Sequence, residues 1–303
     1  MDSPTKVQAW LYAFRLRTLP LSFSSIITGS FIAYYPHFSW AVLGLALLTT
    51  LLLQILSNLA NDYGDSEKGT DNDDRIGPRR AVQAGILSFA EIRRAIILFS
   101  ILCLVSGSTL IHVALGGQDL RSLIFLALGL AAIAAAIKYT VGSGAYGYYG
   151  MGDVFVMLFF GLVGVGGSYY LQANEFDWRI LLPGIAIGCF STGVLNLNNM
   201  RDRISDQKAG KNTIVVHMGD RNARIYHTAL LIGGWLAILA FTILDFKSSL
   251  GFLFALTAPL FWRNVIAVWR VTEPKDFDPF LKQLAISTFI FSILFAIGQV
   301  CGH

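Results

Sequence analysis

Between Asn58 and Gly85 the chain reads NLANDYGDSEKGTDNDDRIGPRRAVQAG, where Asp62, Asp65, Glu67, Asp71, Asp73 and Asp74 face a single lysine, Lys68. Carboxylates packed this densely repel one another unless cations lie among them. Asn58, Asn61, Asp62 and Asp65 stand at i, i+3, i+4 and i+7, so a helix continuing through them carries all four on one face. Every donor on that face is an oxygen. A hard divalent ion is the natural partner, and Mg²⁺ takes one or two carboxylates and completes its shell with water and substrate phosphates.

A second stretch, NLNNMRDRISDQKAGKNT from Asn196 to Thr213, has the same character. Asn199, Asp202 and Asp206 fall at i, i+3 and i+7, with Lys208 and Lys211 either side of Gly210. Two facing carboxylate sets can hold Mg²⁺ on a diphosphate while Arg and Lys neutralise its other oxygens, which makes the diphosphate a leaving group. One Asp-rich loop alone is most simply a solvated face. Two Asn/Asp clusters interleaved with bases make a site the better reading, with Asp73, Asp74 and Asp220 as bystanders. A third stretch, KYTVGSGAYGYYGMGD from Lys138 to Asp153, offers Tyr139, Tyr146, Tyr148 and Tyr149. These rings either shield a carbocation or form an aromatic belt at headgroup level.

The elements that must position these clusters follow from composition. The chain has 303 residues, 54% apolar and 14% charged, with a mean hydropathy of +0.59; a soluble domain would be about a quarter charged. No Asp, Glu, Lys or Arg occurs between Arg17 and Asp62, Arg94 and Asp119, Asp153 and Glu175, Arg179 and Arg201, or Arg224 and Asp245, or after Lys282. A bilayer crossing needs roughly 20 apolar residues. The expectation is an all-α polytopic membrane protein with nine spans, at about 18–35, 40–60, 95–115, 120–138, 153–172, 180–199, 225–244, 249–270 and 283–301. Soluble enzyme, secreted scaffold and disordered chain are excluded, and no nucleic-acid partner is expected.

Residues 5 to 17 carry Val7, Trp10, Leu11 and Phe14 at helical spacing, which predicts an interfacial helix feeding the first span, with no cleavable leader. With the N-terminus cytoplasmic, only Arg121, Arg179 and Lys247 of the loop bases fall outside. This positive-inside pattern puts both polar caps in the cytoplasm and the C-terminus outside. The chain is expected to be one domain, 1–303, in two loose halves of about 1–119 and 120–303. Cys103, Cys189 and Cys301 lack metal-ligand spacing and read as packing residues. Gly161, Gly164, Gly166 and Gly167 predict close helix packing. Arg263, inside the eighth span, either snorkels or contacts substrate.

The most specific segments are Asn61-Asp62-Tyr63-Gly64-Asp65, Lys68-Gly69-Thr70-Asp71 and Asp74-Arg75-Ile76-Gly77-Pro78, then Tyr146-Gly147-Tyr148 with Gly152-Asp153, and Asn198-Asn199-Met200-Arg201-Asp202 with Asp206, Gly210-Lys211 and Thr213. In these the chain resembles the UbiA superfamily of intramembrane prenyltransferases, over nearly its whole length. Relatives that prenylate 4-hydroxybenzoate carry an acid four residues after the position of Asp65; here that residue is Gly69 and the next acid is Asp71, a spacing similar to the naphthoate branch. The resemblance implies nine helices around a central cavity under a cytoplasmic polar cap, in a bacterial inner membrane. It implies transfer of a polyprenyl group from polyprenyl diphosphate to 1,4-dihydroxy-2-naphthoate, with loss of diphosphate and CO₂, for menaquinone biosynthesis.

The same resemblance makes Asn61, Asp62, Asp65, Asp71, Asp202 and Asp206 the Mg²⁺ ligands and Arg75, Lys208 and Lys211 phosphate contacts. Asp65, Asp202, Tyr139 and Tyr146 become the catalytic candidates, and Asn58 and Asn198 join the substrate contacts. A cation must hold the acceptor carboxylate, for which Arg79, Arg80 and Lys138 are candidates, followed by Arg201 and Arg263. Two alternatives stand beside this reading: another acceptor (4-hydroxybenzoate, homogentisate, haem or a lipid), and a transporter with the Asp clusters as ion sites. Both clusters sit at span ends, which argues against the transporter.

Overall fold

The computed structural model describes residues 5–34, 38–69, 85–117 and 119–302. Among them the secondary structure is entirely helical. The first helix, α1 (Lys6–Phe14), opens with a capping box between Thr5 and Gln8. It lays Ala9, Ala13, Trp10 and Phe14 on α3 and α4, leaving Val7 and Leu11 exposed for lipid. Arg15 then adopts a left-handed backbone, φ 48°, and turns the chain into α2 (Leu19–Ile32). The long helices α3 (Trp40–Glu67), α4 (Phe89–Leu115) and α5 (Leu120–Lys138) follow, started by Ser39, Ser88 and Asp119 caps.

The next span begins as α6 (Gly152–Val156), passes through a π-helical segment, Met157–Val163, and ends as α7 (Gly164–Ala173). Then come α8 (Leu181–Lys208), α9 (Ile214–Leu244), α10 (Ala258–Arg270) and α11 (Asp278–Cys301). Among the described residues eight helical rods are long and apolar enough to cross a bilayer. The first expected span falls on α2, which is only 14 residues long, preceded by the 3₁₀ turn Leu16–Thr18, and is not one of those eight. It lies in the interior against α3, α7, α8 and α11. Two spans depart from the regular helices expected. Ser249–Thr257 is 3₁₀ rather than α, and the fifth carries the π-helical segment. The seventh and ninth start earlier than expected, at Ile214 and Asp278, with a break at Gly219, φ 74°.

At the centre of the bundle is α8. Of its most apolar window 78% is buried, against 11% for the lipid-facing α5. It packs on α9, the π segment and α11, and Phe190 on α8 gathers Trp235, Phe261 and Phe291 around itself. Close approach is bought with glycine. A Cβ on Gly161 would stand 2.5 Å from the Gly184 carbonyl oxygen and 2.9 Å from Gly188 Cα, and one on Gly164 would stand 2.8 Å from Ser25 Cβ. The predicted packing role therefore holds for Gly161 and Gly164. A Cβ on Gly166 would meet nothing within 4 Å, and one on Gly167 only Phe125 at 3.7 Å. Cys103 and Cys189 are buried as expected, whereas Cys301 is exposed. Arg263 lies on an exposed face beside Trp262, as a snorkelling base does.

Overpacking a tight helix crossing costs about 1–3 kcal/mol. Gly161→Ala should lower the thermal unfolding midpoint in detergent accordingly, while Gly166→Ala, with open space and better helix propensity, should leave it unchanged or raise it.

Candidate active site

Both Asn/Asp clusters are continuations of spanning helices. Because α3 runs unbroken to Glu67 and α8 to Lys208, the spacings read from sequence become real helical faces. Asp62 and Asp65 are buried at the end of α3, and Asn199, Asp202 and Asp206 at the end of α8. Asp71, Arg75, Arg79 and Arg80 lie outside the described residues.

The Tyr/Gly stretch is the bridge between the two ends. Thr140 Oγ1 donates to the Ala60 carbonyl at 2.9 Å and to Asn61 Oδ1 at 3.3 Å. This fit requires Gly64, where a Cβ would come within 2.6 Å of the Thr140 backbone. On the other side Asn212 N donates to the Tyr148 carbonyl at 3.0 Å, so the loop after α8 is tied to the same stretch. Tyr148 is buried between them: its hydroxyl donates to Asp65 Oδ1 at 2.8 Å. The Lys68 ammonium stands over its ring at 4.0 Å, and that of Lys211 at 5.6 Å. Burial holds Lys68 below the usual lysine pKa, against the pull of Asp65 and Glu67, with Lys211 as a nearby like charge.

Each described acid of the pattern is held by a basic or donor group. Arg15, reaching down from the α1–α2 turn, pairs with buried Asp62. Lys211 Nζ is 3.8 Å from Asp206 Oδ1. Arg201 grips both oxygens of Asp202 at 2.9 and 2.7 Å, pairs with Asp278 at the start of α11, and donates to Asn198 Oδ1 at 2.9 Å. Tyr139 lies at the focus: Lys211, Asp65, Asp153 and Asp206 all act on its hydroxyl, whose pKa burial pushes up to about 12.

Several sequence candidates are placed differently from expectation. Asn58 donates to the Phe14 carbonyl at 3.0 Å and to Thr18 Oγ1 at 3.4 Å, which makes it a clamp on the α1–α2 turn. Tyr146 donates to the Ala135 carbonyl at 2.9 Å and stacks on Phe155 at 3.9 Å, while the tyrosine that touches a cluster carboxylate is Tyr148. Lys208 is exposed in the last turn of α8, and Lys138 is exposed with Gly142 beside its ammonium. Sequence reasoning missed Arg15 as a site group and offered Arg201 only as a reserve cation for the acceptor carboxylate, because bases at span ends had already been counted as topology signals. Only the tertiary pairing distinguishes them.

Among the described residues no three His, Cys, Asp or Glu groups are close enough to hold a metal by themselves. Asn61, Asp62 and Asp65 on one helix and Asp202 and Asp206 on the other form an oxygen-only, divided donor set. That fits a hard cation sharing its shell with a phosphate ligand and water, and does not fit a soft metal.

Two carboxylate-bearing helix ends thus meet at one tyrosine-bearing stretch in a bundle of membrane-length helices. The chain belongs to the UbiA prenyltransferase family, whose profile matches residues 22–296. It is 44% identical to the 1,4-dihydroxy-2-naphthoate octaprenyltransferase of Haemophilus influenzae over 98% of this chain and 97% of the relative. It is 45% identical to the enzyme of the same name from Escherichia coli, over 97% and 96%. A solved UbiA homolog from Archaeoglobus fulgidus bound to DMAPP and Mg²⁺ has the same fold, with a TM-score of 0.66 at 16% identity over 97% of this chain and 98% of that one.

A hydrogen bond to a charged group is worth about 1.5–3 kcal/mol. In a double-mutant cycle, Tyr148→Phe and Asp65→Asn should each destabilise the folded protein and be non-additive by at least about 1 kcal/mol, read from thermal unfolding; strict additivity would refute the bridge.

Proposed function

We propose that this chain transfers a polyprenyl group from polyprenyl diphosphate to 1,4-dihydroxy-2-naphthoate, releasing diphosphate and CO₂. The observation that carries the reading is the convergence of the α3 and α8 ends on Tyr148, with Asp65, Lys68 and Lys211 around one ring. Acids and bases interleaved in this way are what a diphosphate bridged by cations needs, and a purely structural ion cluster has no use for the Tyr139 face beside it. The named relatives, alike over nearly their full length, support the naphthoate as acceptor.

In this reading Asn61, Asp62, Asp65, Asp202 and Asp206, together with Asp71, hold Mg²⁺. When bound, the metal neutralises the diphosphate and stabilises it as a leaving group. Lys211 and Lys68, with Arg75 and Lys208, contact the diphosphate oxygens. Arg15 and Arg201 orient Asp62 and Asp202. Tyr139 turns its ring toward the allylic carbon as the C–O bond breaks and shields the developing positive charge. The catalytic cap faces the cytoplasm of a bacterial inner membrane, with the C-terminal end of α11 outside.

Asp65→Asn and Asp202→Asn should each reduce turnover at least about a hundredfold in purified protein, products identified by mass, while thermal unfolding shows a folded chain. Wild-type rates in either would sink the assignment. Activity should vanish with EDTA and return with Mg²⁺, and persistence without divalent ions would contradict the metal reading. Of Arg79→Gln, Arg80→Gln and Lys138→Gln, at least one should raise the Michaelis constant for the naphthoate about tenfold or more and leave that for the prenyl diphosphate unchanged, because only the acceptor loses its counter-ion.

A further inference from the structure

One buried acid is left unused by the diphosphate cap. Asp153, in the first turn of α6, is 5% exposed, and its Oδ2 has no hydrogen-bond partner. The Tyr226 hydroxyl of α9 faces this carboxylate. An unsatisfied buried carboxylate oxygen costs a large desolvation penalty, and such groups are retained where a ligand or reaction uses them.

The position of Asp153 shows which ligand. A Cβ on the preceding residue, Gly152, would stand 3.2 Å from the Tyr139 hydroxyl oxygen and 3.4 Å from Leu195 Cδ2. Asp153 therefore directly follows a residue packed against Tyr139, whose hydroxyl senses Asp153 together with Asp65, Asp206 and Lys211. The titratable groups facing it are Tyr139 from the loop and Tyr226 from α9, with Cys189 of α8 next to Tyr226. All are neutral donors at neutral pH, so among the described residues the site offers a lone acceptor oxygen and no facing counter-cation. Such an oxygen receives a neutral hydroxyl and repels an anion, which excludes diphosphate and the acceptor carboxylate as its partners.

We infer that Asp153 Oδ2 accepts the proton of the aromatic acceptor's hydroxyl adjacent to the carboxylate-bearing carbon, and so acts as the general base of the transfer. This rests on the proposed prenyl transfer. The O–H bond breaks, its proton passing to Oδ2 and its electron pair closing to a ring C=O. The ring π pair forms the bond to the allylic carbon, and the C–O bond to diphosphate breaks with its pair on the diphosphate oxygen. The product is a β-keto acid; its C–CO₂ bond breaks, CO₂ leaves, and that pair returns to the ring oxygen, which retakes the proton from Asp153. No external acid, base or oxidant is needed. Tyr226 is a positioning residue, its hydroxyl facing the Asp153 carboxylate.

The test uses full-length protein in detergent with Mg²⁺, geranyl diphosphate, 1,4-dihydroxy-2-naphthoate and a ring-fluorinated naphthoate whose hydroxyl is more acidic. Asp153→Asn should lower kcat by about 10²–10⁴-fold, with geranyl diphosphate affinity and unfolding midpoint unchanged. Its residual rate should climb with pH as the hydroxyl ionises unaided, and the wild-type-to-variant ratio should shrink on the fluorinated acceptor. Turnover within threefold of wild type, or an equal loss on both acceptors, would overturn the inference. Tyr226→Phe keeps the carboxylate and guards against a misfolded Asn variant. It should lose turnover about three- to tenfold, and unchanged turnover there also overturns the inference. Wild-type protein that prenylates neither acceptor would instead defeat the functional reading, and this inference with it.

Discussion

The structure depends on bringing buried carboxylates from two helices to one place at the end of a membrane span. In an environment of low dielectric, like charges repel strongly and an uncompensated carboxylate is expensive to bury. The fold meets this by giving Asp62, Asp65, Asp202 and Asp206 partners, those of Asp62 and Asp65 from distant parts of the chain. Arg15 comes from the turn before α2, Tyr148 from the loop before α6, and Lys211 from the loop after α8. Arg201 is itself shared between Asp202 and Asp278. No single segment could hold these charges alone, so the site exists only when the bundle does.

That requirement explains why α8 is buried on nearly all sides although its last turns are polar. Its Gly184 and Gly188 let the π segment come close, and its end carries Asn199, Asp202 and Asp206 in buried positions. The Tyr/Gly stretch is short of side chains for the same reason: Gly64 and Gly147 sit against Thr140 and Tyr139 where any Cβ would be within 3 Å. Aromatic residues and glycines alternate there because the loop must present large rings to the site while its backbone touches α3.

Much of this was legible before any coordinates. Charge-free runs locate the spans, and the i, i+3, i+7 spacing of Asn and Asp predicts the two faces, because a helix is periodic and these helices continue beyond the apolar window. What periodicity does not reach is pairing across the bundle. Arg15 looks like any base flanking a span until the left-handed turn brings it to Asp62. Tyr146 and Tyr148 are indistinguishable by type, and only the 3₁₀ turn Tyr146–Tyr149 decides that one faces α5 and the other Asp65. Asn58 shares the helical face with Asp62 and is nonetheless consumed by the α1–α2 turn. Regularity along a helix is written in the sequence, and the choice of partner is written in the packing.

The same packing separates the two halves of the proposed chemistry. Leaving-group departure needs cations and their carboxylate holders, whereas activation of a hydroxylated ring needs an anionic oxygen kept away from those cations, which would otherwise bind it. Tyr139 is shared by the two: its hydroxyl senses Asp65, Asp206 and Lys211 of the cap as well as Asp153, and it packs against Gly152, the residue before Asp153. A carboxylate placed among the diphosphate contacts would repel the diphosphate or be captured by a metal; placed apart from them, Asp153 meets neutral hydroxyl groups among the described residues and remains able to accept a proton. In the proposed chemistry the tyrosine is a partition as well as a shield, and its neutrality is what both sides require. Burial, which pushes its pKa up to about 12, preserves that neutrality.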